Sequence, residues 1–381
     1  MNILILSCNT GEGHNAAGRA VLEQLERRGA HGVLVDALSF ASRGVSKLVC
    51  DVHTNAYRKA PAIFDAGYGR SERTAESGDS IAYRANALYA KKLLRYIRAG
   101  GFDAVVAPHV FPAEALTCLK RQRMLPLPCC FIATDYTCSP FVGETALDGY
   151  CIPHASLEEE FCERGLPRER LFVTGIPVAA AFAAHTPRAE ARRTLRLPAD
   201  GRVILLMAGS MGAGHIEEVA AQLLPQLTVN DRLLLVCGSN EKLRQSLLGE
   251  HRMDPRAVIL GFTDRVSLLM DAADLLLTKA GGLTSTEAAV KGIPLVLMDV
   301  VGGCESRNID FFNEHGLARA AQAPADIARL ALSLLDDPAA CEAMTARQRE
   351  TIAPDAAAAV AEWVLAAADA DRDAPDAAQM G

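Results

Sequence analysis

Short apolar runs alternate with longer amphipathic stretches along this chain. Residues 3–7 form the first apolar run, and a helical pattern over residues 15–28 follows it. Continuous apolar strands separated by helices are typical of a parallel sheet that is covered on both faces. The pattern therefore predicts an α/β fold. The predicted strands are residues 3–7, 33–35, 103–107, 129–134, 203–207, 233–237, 257–260, 275–278 and 294–298.

The same alternation restarts near residue 186, where Thr-Pro opens a charged helix. Two α/β domains of similar size are therefore predicted, over residues 1–182 and 183–353. A last helix is predicted over 354–368, and it carries the only tryptophan, Trp363. The segment 369–381 is rich in Ala and Asp and is predicted to be a disordered tail.

Composition narrows the function classes. The chain has 39 basic and 46 acidic residues and a net charge of −7, which argues against a protein that binds nucleic acid over its whole surface. Its 11 cysteines include no Cys-x-x-Cys pair, so neither a zinc site nor a disulfide framework is indicated. No apolar run approaches the roughly 18 residues that span a bilayer. We expect a cytoplasmic protein with reduced thiols and no bound metal.

One segment departs from the acidic average. Residues 43–98 hold eleven basic and five acidic residues, interleaved with aromatic side chains. A basic helical segment with aromatic residues can lie on an anionic membrane surface. A solvated helical face explains the same pattern, and these residues alone do not decide between the two.

The first candidate for chemistry is the loop Asn9–His14, between the first strand and the first helix. Gly11 and Gly13 permit a tight turn and the close approach of a ligand. His14 then lies at a helix N-terminus, which disfavours its protonated form and suits a general base. A simple capping loop is the alternative. The dinucleotide fingerprint is absent, because its third glycine would fall at Ala16.

Three further glycine-rich loops follow strands in the second half of the chain. The loop over residues 208–215 and the loop over 278–288 each open a helix, where backbone N–H groups can hold a diphosphate. Glu287 can accept hydrogen bonds from a ribose diol. The third loop covers residues 302–308, and its Glu305 and Asn308 can bind sugar hydroxyls. Together the loops favour a nucleotide site, and the absence of a Gly-Lys-Ser/Thr ending disfavours an NTPase.

Asp135 ends a predicted strand in the first domain. It can orient His14 or bind an acceptor hydroxyl. An ordinary helix N-cap is an equally good explanation from the residues alone.

Together these residues resemble the processive diacylglycerol glucosyltransferases and monogalactosyldiacylglycerol synthases of glycosyltransferase family 28. The resemblance covers about residues 1–335. Near the N-terminus it rests on Ser7–Ala17, where the family has a Gly-x-Gly-His loop followed by Ala-Ala. The densest match comprises Gly261-Phe262-Thr263, Ala273-Asp274, Thr278–Gly282, Thr284, Glu287-Ala288, Gly292-Ile293-Pro294, Glu305 and Asn308.

The resemblance implies a GT-B fold, in which two Rossmann-like, doubly wound domains face each other across a cleft. It implies that helix 354–368 completes the N-terminal domain, which takes a membrane lipid as acceptor. The C-terminal domain is implied to bind a UDP-sugar. The basic segment 43–98 lies where relatives contact the membrane, which favours an anionic membrane surface as its partner and a peripheral location on the inner face of the cell membrane.

The resemblance also implies roles for individual residues. His14 is the implied base, Asp135 belongs to the acceptor side, and Gly11 and Gly13 form the acceptor loop. Phe262 lies near uracil and Glu287 binds ribose. The implied diphosphate contacts are Gly209, Ser210, Gly212, Gly281, Gly282, Leu283 and Thr284, and the implied sugar contacts are Cys304, Glu305 and Asn308.

The predicted reaction is an inverting transfer of hexose from UDP-glucose or UDP-galactose to diacylglycerol or a related lipid, which yields a β-glycolipid without a metal or other cofactor. The family usually has Gln-Glu where this chain has Cys304-Glu305, and a His where it has Ser139. Donor sugar and acceptor lipid therefore stay open, as does the oligomeric state. The alternatives are a UDP-sugar 2-epimerase, an N-acetylglucosaminyltransferase acting on a lipid-linked saccharide, and a non-catalytic UDP-sugar sensor.

Overall fold

The computed structural model describes residues 1–9, 11–41, 80–139, 141–207, 209, 215–298 and 302–373. The chain divides into two compact units, Met1–Ala179 with Asp355–Gly381, and Ala180–Pro354. Each unit contains a parallel sheet with helices packed on it. The predicted α/β class, with two Rossmann-like domains, is confirmed.

In the described part of the first unit, six parallel strands run in the order β2-β1-β3-β4-β5-β6. They are β1 (Asn2–Ser7), β2 (His31–Asp36), β3 (Ala104–Ala107), β4 (Cys129–Ile132), β5 (Gly149–Ile152) and β6 (Leu171–Val173). The helices are α1 (Glu12–Arg27), α2 (Ile81–Gly100), α3 (Val110–Arg121), α4 (Glu158–Glu163) and, from the end of the chain, α14 (Ala356–Asp373).

The alternation of side chains along β1 builds a core on each face of this sheet. Leu4 and Leu6 face the layer that contains α2 and α3, whereas Ile3 and Ile5 face α1 and α14. These four side chains are completely buried. The centre of β1, from Ile3 to Leu6, is apolar without interruption because helices cover both faces of the sheet.

The described part of the second unit repeats this plan, with six parallel strands in the order β12-β11-β10-β7-β8-β9. They are β7 (Val203–Met207), β8 (Arg232–Val236), β9 (Ala257–Leu260), β10 (Leu275–Lys279), β11 (Leu295–Met298) and β12 (Arg319–Ala321). The helices are α5 (Ala180–Ala183), α6 (Arg188–Leu195), α7 (Ile216–Leu223), α8 (Glu241–His251), α9 (Val266–Ala272), α10 (Gly282–Lys291), α11 (Cys304–Glu314), α12 (Pro324–Leu335) and α13 (Pro338–Thr351).

A buried ionic network joins α6 to the sheet of the second unit. The Arg192 guanidinium donates to the Asp274 carboxylate at 2.6 Å and to the carbonyl oxygens of Ala272, Ala199 and Gly201. The Asp274 carboxylate also accepts from the backbone N–H of Val203, the first residue of β7. Helix α6 is thereby fixed to the start of β7 and to Asp274, the residue that precedes β10.

The end of the chain differs from the prediction. The disordered tail was predicted to begin at residue 369, but α14 continues to Asp373, so the prediction is wrong for residues 369–373. The Arg372 guanidinium bonds to Asp103 at 2.8 Å, and Ala368 is buried, which extends the helix along the first unit. Residues 374–381 lie outside the described residues.

By length and composition alone, the helical stretch Pro338–Arg372 could cross a membrane, with a mean hydropathy of 1.3 in its most apolar window. It comprises two helices, α13 and α14, separated by residues 352–355. Val360, Ala361 and Val364 of α14 are completely buried in the core of the first unit. Part of the apolar character of α14 is therefore explained by packing within the first unit.

Candidate functional site

The first candidate site lies at the carboxyl ends of the strands in the first unit. After β1 the chain moves outward to β2, and it later crosses to β3 on the other side of β1. Ligands of open α/β sheets bind at such a switch point. His14, in the first turn of α1, lies here beside Pro108, which follows β3, and Thr134, which follows β4.

The contacts of His14 fix its tautomer. The ring nitrogen Nδ1 lies 2.8 Å from the carbonyl oxygen of Pro108 and 3.1 Å from Oγ1 of Thr134. A carbonyl oxygen only accepts, so Nδ1 carries the proton and Nε2 carries the lone pair. The edge of the His109 ring packs against the His14 ring with centroids 4.5 Å apart. In its neutral form, His14 can therefore accept a proton at Nε2.

Burial lowers the pKa of His14 below its ordinary value of 6.5, while the Asp135 carboxylate and the hydrogen bond to Pro108 act in the opposite direction. The neutral form predominates at pH 7 as a result. Asp135 is half-buried, directly after Thr134. Its charge acts on the His14 ring, whereas the side-chain hydroxyl that contacts the ring belongs to Thr134.

The acceptor loop leaves room next to the backbone. Gly11 has an extended conformation, with φ of −178°, and a methyl group added there would contact nothing within 4 Å. Gly13 is partly exposed in the first turn of α1. Two hydrogen bonds of the Asn9 side chain fix the start of the loop. Its Nδ2 donates to the Asp36 carboxylate at 2.9 Å, and its Oδ1 accepts from the Asn15 amide at 3.0 Å.

The second candidate site lies at the corresponding edge of the other unit. The chain leaves β7 toward β8 and β9, then crosses to β10 on the other side of β7. Gly209 follows β7 with a positive φ of 69°, and an added Cβ would lie 3.0 Å from Cε of Lys279, the last residue of β10. Gly281 precedes α10 and has no side chain to cap it. The first N–H groups of α10 can therefore bind an anion.

Helix α10 carries four of the predicted donor contacts. Gly282 is buried, Leu283 and Thr284 are half-buried, and Glu287 lies one turn further along. Burial raises the pKa of Glu287 from 4.5 to about 8. A carboxyl group with this pKa can exchange hydrogen bonds with a diol in either protonation state.

Helix α11 begins after Gly303, whose φ of 71° favours glycine. Cys304 is half-buried and Glu305 is buried, and the Glu305 carboxylate forms an ion pair with Lys279. Asn308 is completely buried and its amide donates to the carbonyl oxygen of Ala280 at 2.8 Å. Asn308 thus fixes the loop between β10 and α10, and its predicted sugar contact stays a prediction.

Phe262 follows β9 and is 72% exposed, which is unusual for a large apolar side chain. Its ring is therefore available to a planar ligand. Ser210 and Gly212 lie outside the described residues. The part of the chain that the structure describes contains no cluster of three His, Cys, Asp or Glu side chains suited to a metal ion. The prediction that no metal is needed stays a prediction.

Sequence reasoning missed four residues that the structure places at these sites, namely Pro108, His109, Thr134 and Lys279. Pro108 contacts His14 through its backbone carbonyl oxygen. Every residue has such an oxygen, so the residue type does not indicate the contact. His109 lies two residues after β3, and Lys279 ends β10, so the position at a strand end was the available signal. Thr134 directly precedes the predicted residue Asp135, but a threonine hydroxyl at this position gives no signal of its own.

Two family profiles match the chain. The monogalactosyldiacylglycerol (MGDG) synthase profile matches residues 14–178, and the glycosyltransferase family 28 C-terminal domain profile matches residues 203–337. A processive diacylglycerol β-glucosyltransferase of Bacillus pumilus is 26% identical over 354 residues, which cover 90% of this chain and 88% of the relative.

Solved structures share the fold. MurG of Acinetobacter baumannii has a TM-score of 0.62 and 17% identity, covering 96% of this chain and 99% of its own. A UDP-GlcNAc 2-epimerase of Neisseria meningitidis bound to UDP-GlcNAc has a TM-score of 0.64 and 13% identity, covering 96% and 100%. The family profiles and the relatives agree on one assignment: the chain is a glycosyltransferase of family 28, in the group that contains the MGDG synthases and the processive diacylglycerol β-glucosyltransferases.

Proposed function

We propose that this protein transfers hexose from UDP-glucose or UDP-galactose to the hydroxyl of diacylglycerol or a related membrane lipid, with inversion at the anomeric carbon. The observation that carries the proposal is the orientation of His14. Its Nδ1 donates to Pro108, so its Nε2 is left to accept a proton. Relatives named as processive diacylglycerol β-glucosyltransferases support the lipid acceptor.

The reaction is a single displacement. The acceptor oxygen forms a bond to the anomeric carbon as its proton passes to Nε2 of His14. The bond between that carbon and the β-phosphate oxygen breaks, and its electron pair leaves with UDP. A positioned base of this kind contributes about 10²- to 10⁴-fold in rate. An α-linked donor then gives a β-linked product.

The second unit supplies the donor contacts. Phe262 stacks on uracil through its exposed ring, and Glu287 holds the ribose diol. The N–H groups at the start of α10 face the diphosphate, and they stabilise charge that develops on it. UDP-GlcNAc in the structurally similar Neisseria epimerase supports a UDP-sugar as the ligand of this fold.

Helix α2 supports peripheral binding to an anionic membrane. It has no acidic residue, and its five basic side chains, Arg84, Lys91, Lys92, Arg95 and Arg98, are all exposed. Leu88 lies among them and is 83% exposed. Each basic residue near an anionic surface contributes about 1 kcal/mol. Residues 43–79 of the basic segment lie outside the described residues, so α2 carries the argument.

The test is release of UDP by the purified protein from UDP-glucose or UDP-galactose, with and without diacylglycerol in vesicles that contain anionic phospholipid. We expect release that depends on diacylglycerol and a glycolipid product in equal amount. Release without lipid indicates hydrolysis or another acceptor. Conversion of the sugar without a glycolipid product supports the epimerase.

The variant His14→Ala separates the enzyme from a sensor. We expect UDP binding to be retained and turnover to fall at least 100-fold. The matched control is His31→Ala. His31 begins β2 and therefore lies at the amino ends of the strands, whereas His14 lies at their carboxyl ends. Unchanged turnover in His14→Ala would overturn the proposed mechanism.

A further inference from the structure

Lys279 has no role in the mechanism above, although it lies at the centre of the second site. It ends β10, the strand that lies next to β7 at the switch point of the sheet. Its side chain is only 16% exposed, and its ammonium group pairs with the Glu305 carboxylate, whose side chain is 10% exposed. A cation and an anion are thus placed together at the edge where a ligand binds.

The Lys279 side chain lies close to the backbone of two glycines, Gly209 and Gly281. A Cβ at Gly281 would lie 3.1 Å from Nζ of Lys279, and a Cβ at Gly209 would lie 3.0 Å from its Cε. The Lys279 side chain therefore lies beside Gly209 and beside Gly281, the residue that precedes α10. The first N–H groups of α10 and a full positive charge are thus close together.

We propose that Lys279 is a catalytic residue that contacts the diphosphate and neutralises the charge that develops on the leaving group, and that Glu305 holds it in position until the donor binds. This inference rests on the proposed function. Its basis is the largely buried Lys279–Glu305 ion pair, whose lysine lies beside Gly209 and Gly281.

The charge balance explains why the pair is suited to this step. Without donor, Lys279 and Glu305 neutralise each other, which limits the cost of burying either charge. The donor brings a diphosphate to the ammonium, and sugar hydroxyls can donate to the Glu305 carboxylate in its place. When the glycosidic bond breaks, the departing oxygen gains a further negative charge, which the fixed ammonium stabilises.

The experiment compares wild-type protein with Lys279→Met, Lys279→Arg and the double variant Lys279→Met/Glu305→Gln. Calorimetry measures the binding of UDP and of uridine, and the lipid-dependent assay measures kcat and KM. We expect Lys279→Met to weaken UDP binding about 10- to 100-fold, the range for a hydrogen bond to a charged group, and to leave uridine binding unchanged. We expect kcat to fall about 100-fold and Lys279→Arg to recover part of it.

The double variant separates the proposed role from a structural one. If Lys279 served only to neutralise Glu305, the removal of both charges would restore the binding of UDP, which has no sugar for Glu305 to contact, and the proposal would be overturned. We expect UDP binding to stay weak. Arg329→Met is the matched control, because it removes an exposed positive charge from α12 of the same unit. Equal loss in that variant would also overturn the proposal.

The outcomes also separate this inference from the proposed function. If the wild-type protein neither binds UDP nor releases it from a UDP-sugar, the proposed function fails. If the wild-type protein binds UDP and transfers hexose, and Lys279→Met does both equally well, only the role of Lys279 fails.

Discussion

Glu114 offers a quantitative test of the electrostatics in the first unit. Its side chain on α3 is completely buried, and Oε2 accepts a hydrogen bond of 2.5 Å from the Asn86 amide on α2. Oε1 has no hydrogen-bond partner within the described part of the chain. Burial raises the pKa of Glu114 from 4.5 to about 8, the Asn86 hydrogen bond lowers it, and the charge of Glu144 adds to the rise.

The expected effect of Glu114→Gln follows from this pKa. The folded state retains the proton up to about pH 8, whereas the unfolded chain loses it near pH 4.5. Stability of the wild-type protein therefore falls as the pH rises between these values, and glutamine does not titrate. At about 1.4 kcal/mol per pH unit, we expect the variant to be more stable by about 3 kcal/mol at pH 7 and by less than about 1 kcal/mol at pH 5.

The assay is thermal unfolding followed by the fluorescence of Trp363, the only tryptophan of the chain. Trp363 packs against Phe172, with ring centroids 5.2 Å apart, and against Gly149, so it reports on the first unit. For a unit of this size, we expect a rise in Tm of roughly 6–12 °C at pH 7. Glu26→Gln, at an exposed position on α1, is the control.

A stability difference that is the same at pH 5 and pH 8 would refute the reasoning, because it would show that the proton on Glu114 is not the cause. A variant less stable than wild type at pH 7 would refute it as well. That result would mean that the ionised carboxylate is favoured at this position, contrary to its burial.

Three further predictions concern the candidate sites and the second unit. Asp135→Asn removes the charge that raises the pKa of His14, so the acidic limb of kcat/KM should move to lower pH; a shift to higher pH would contradict this. Phe262→Ala should weaken UDP binding about 10-fold through lost stacking and leave Tm unchanged, because the ring is exposed. Arg192→Met should lower the free energy of unfolding by about 3–5 kcal/mol in denaturant titrations, whereas the exposed Arg188→Met should lower it by less than about 1 kcal/mol.

The strands that carry the sites could be predicted because each is a continuous apolar run. The predicted bounds of 203–207 and 257–260 coincide with β7 and β9. The strands β5, β6 and β12, which have three or four residues each, were missed. Two of them also lie at sheet edges, where one side needs no apolar partner.

The contacts within the candidate sites were less accessible to sequence reasoning. His14 was visible from its place after a glycine loop, but the tautomer depends on the carbonyl of Pro108, which lies 94 positions along the chain. The pairing of Lys279 with Glu305 depends on how the end of β10 and the first turn of α11 approach each other. Residue types and spacing indicate which groups reach a strand end, and only the fold shows which of them meet.

The position of α14 has a consequence for biosynthesis. This last helix packs on α1 and on β3, although more than 300 residues separate it from α1. During translation the first unit emerges early, with the face lined by Ile3 and Ile5 covered by α1 but not yet by α14, and it is completed only when α14 has left the ribosome. The second unit, by contrast, is continuous in sequence and can finish folding first. Premature termination before residue 355 would therefore leave an apolar surface exposed, and such chains would be targets for chaperones and proteases.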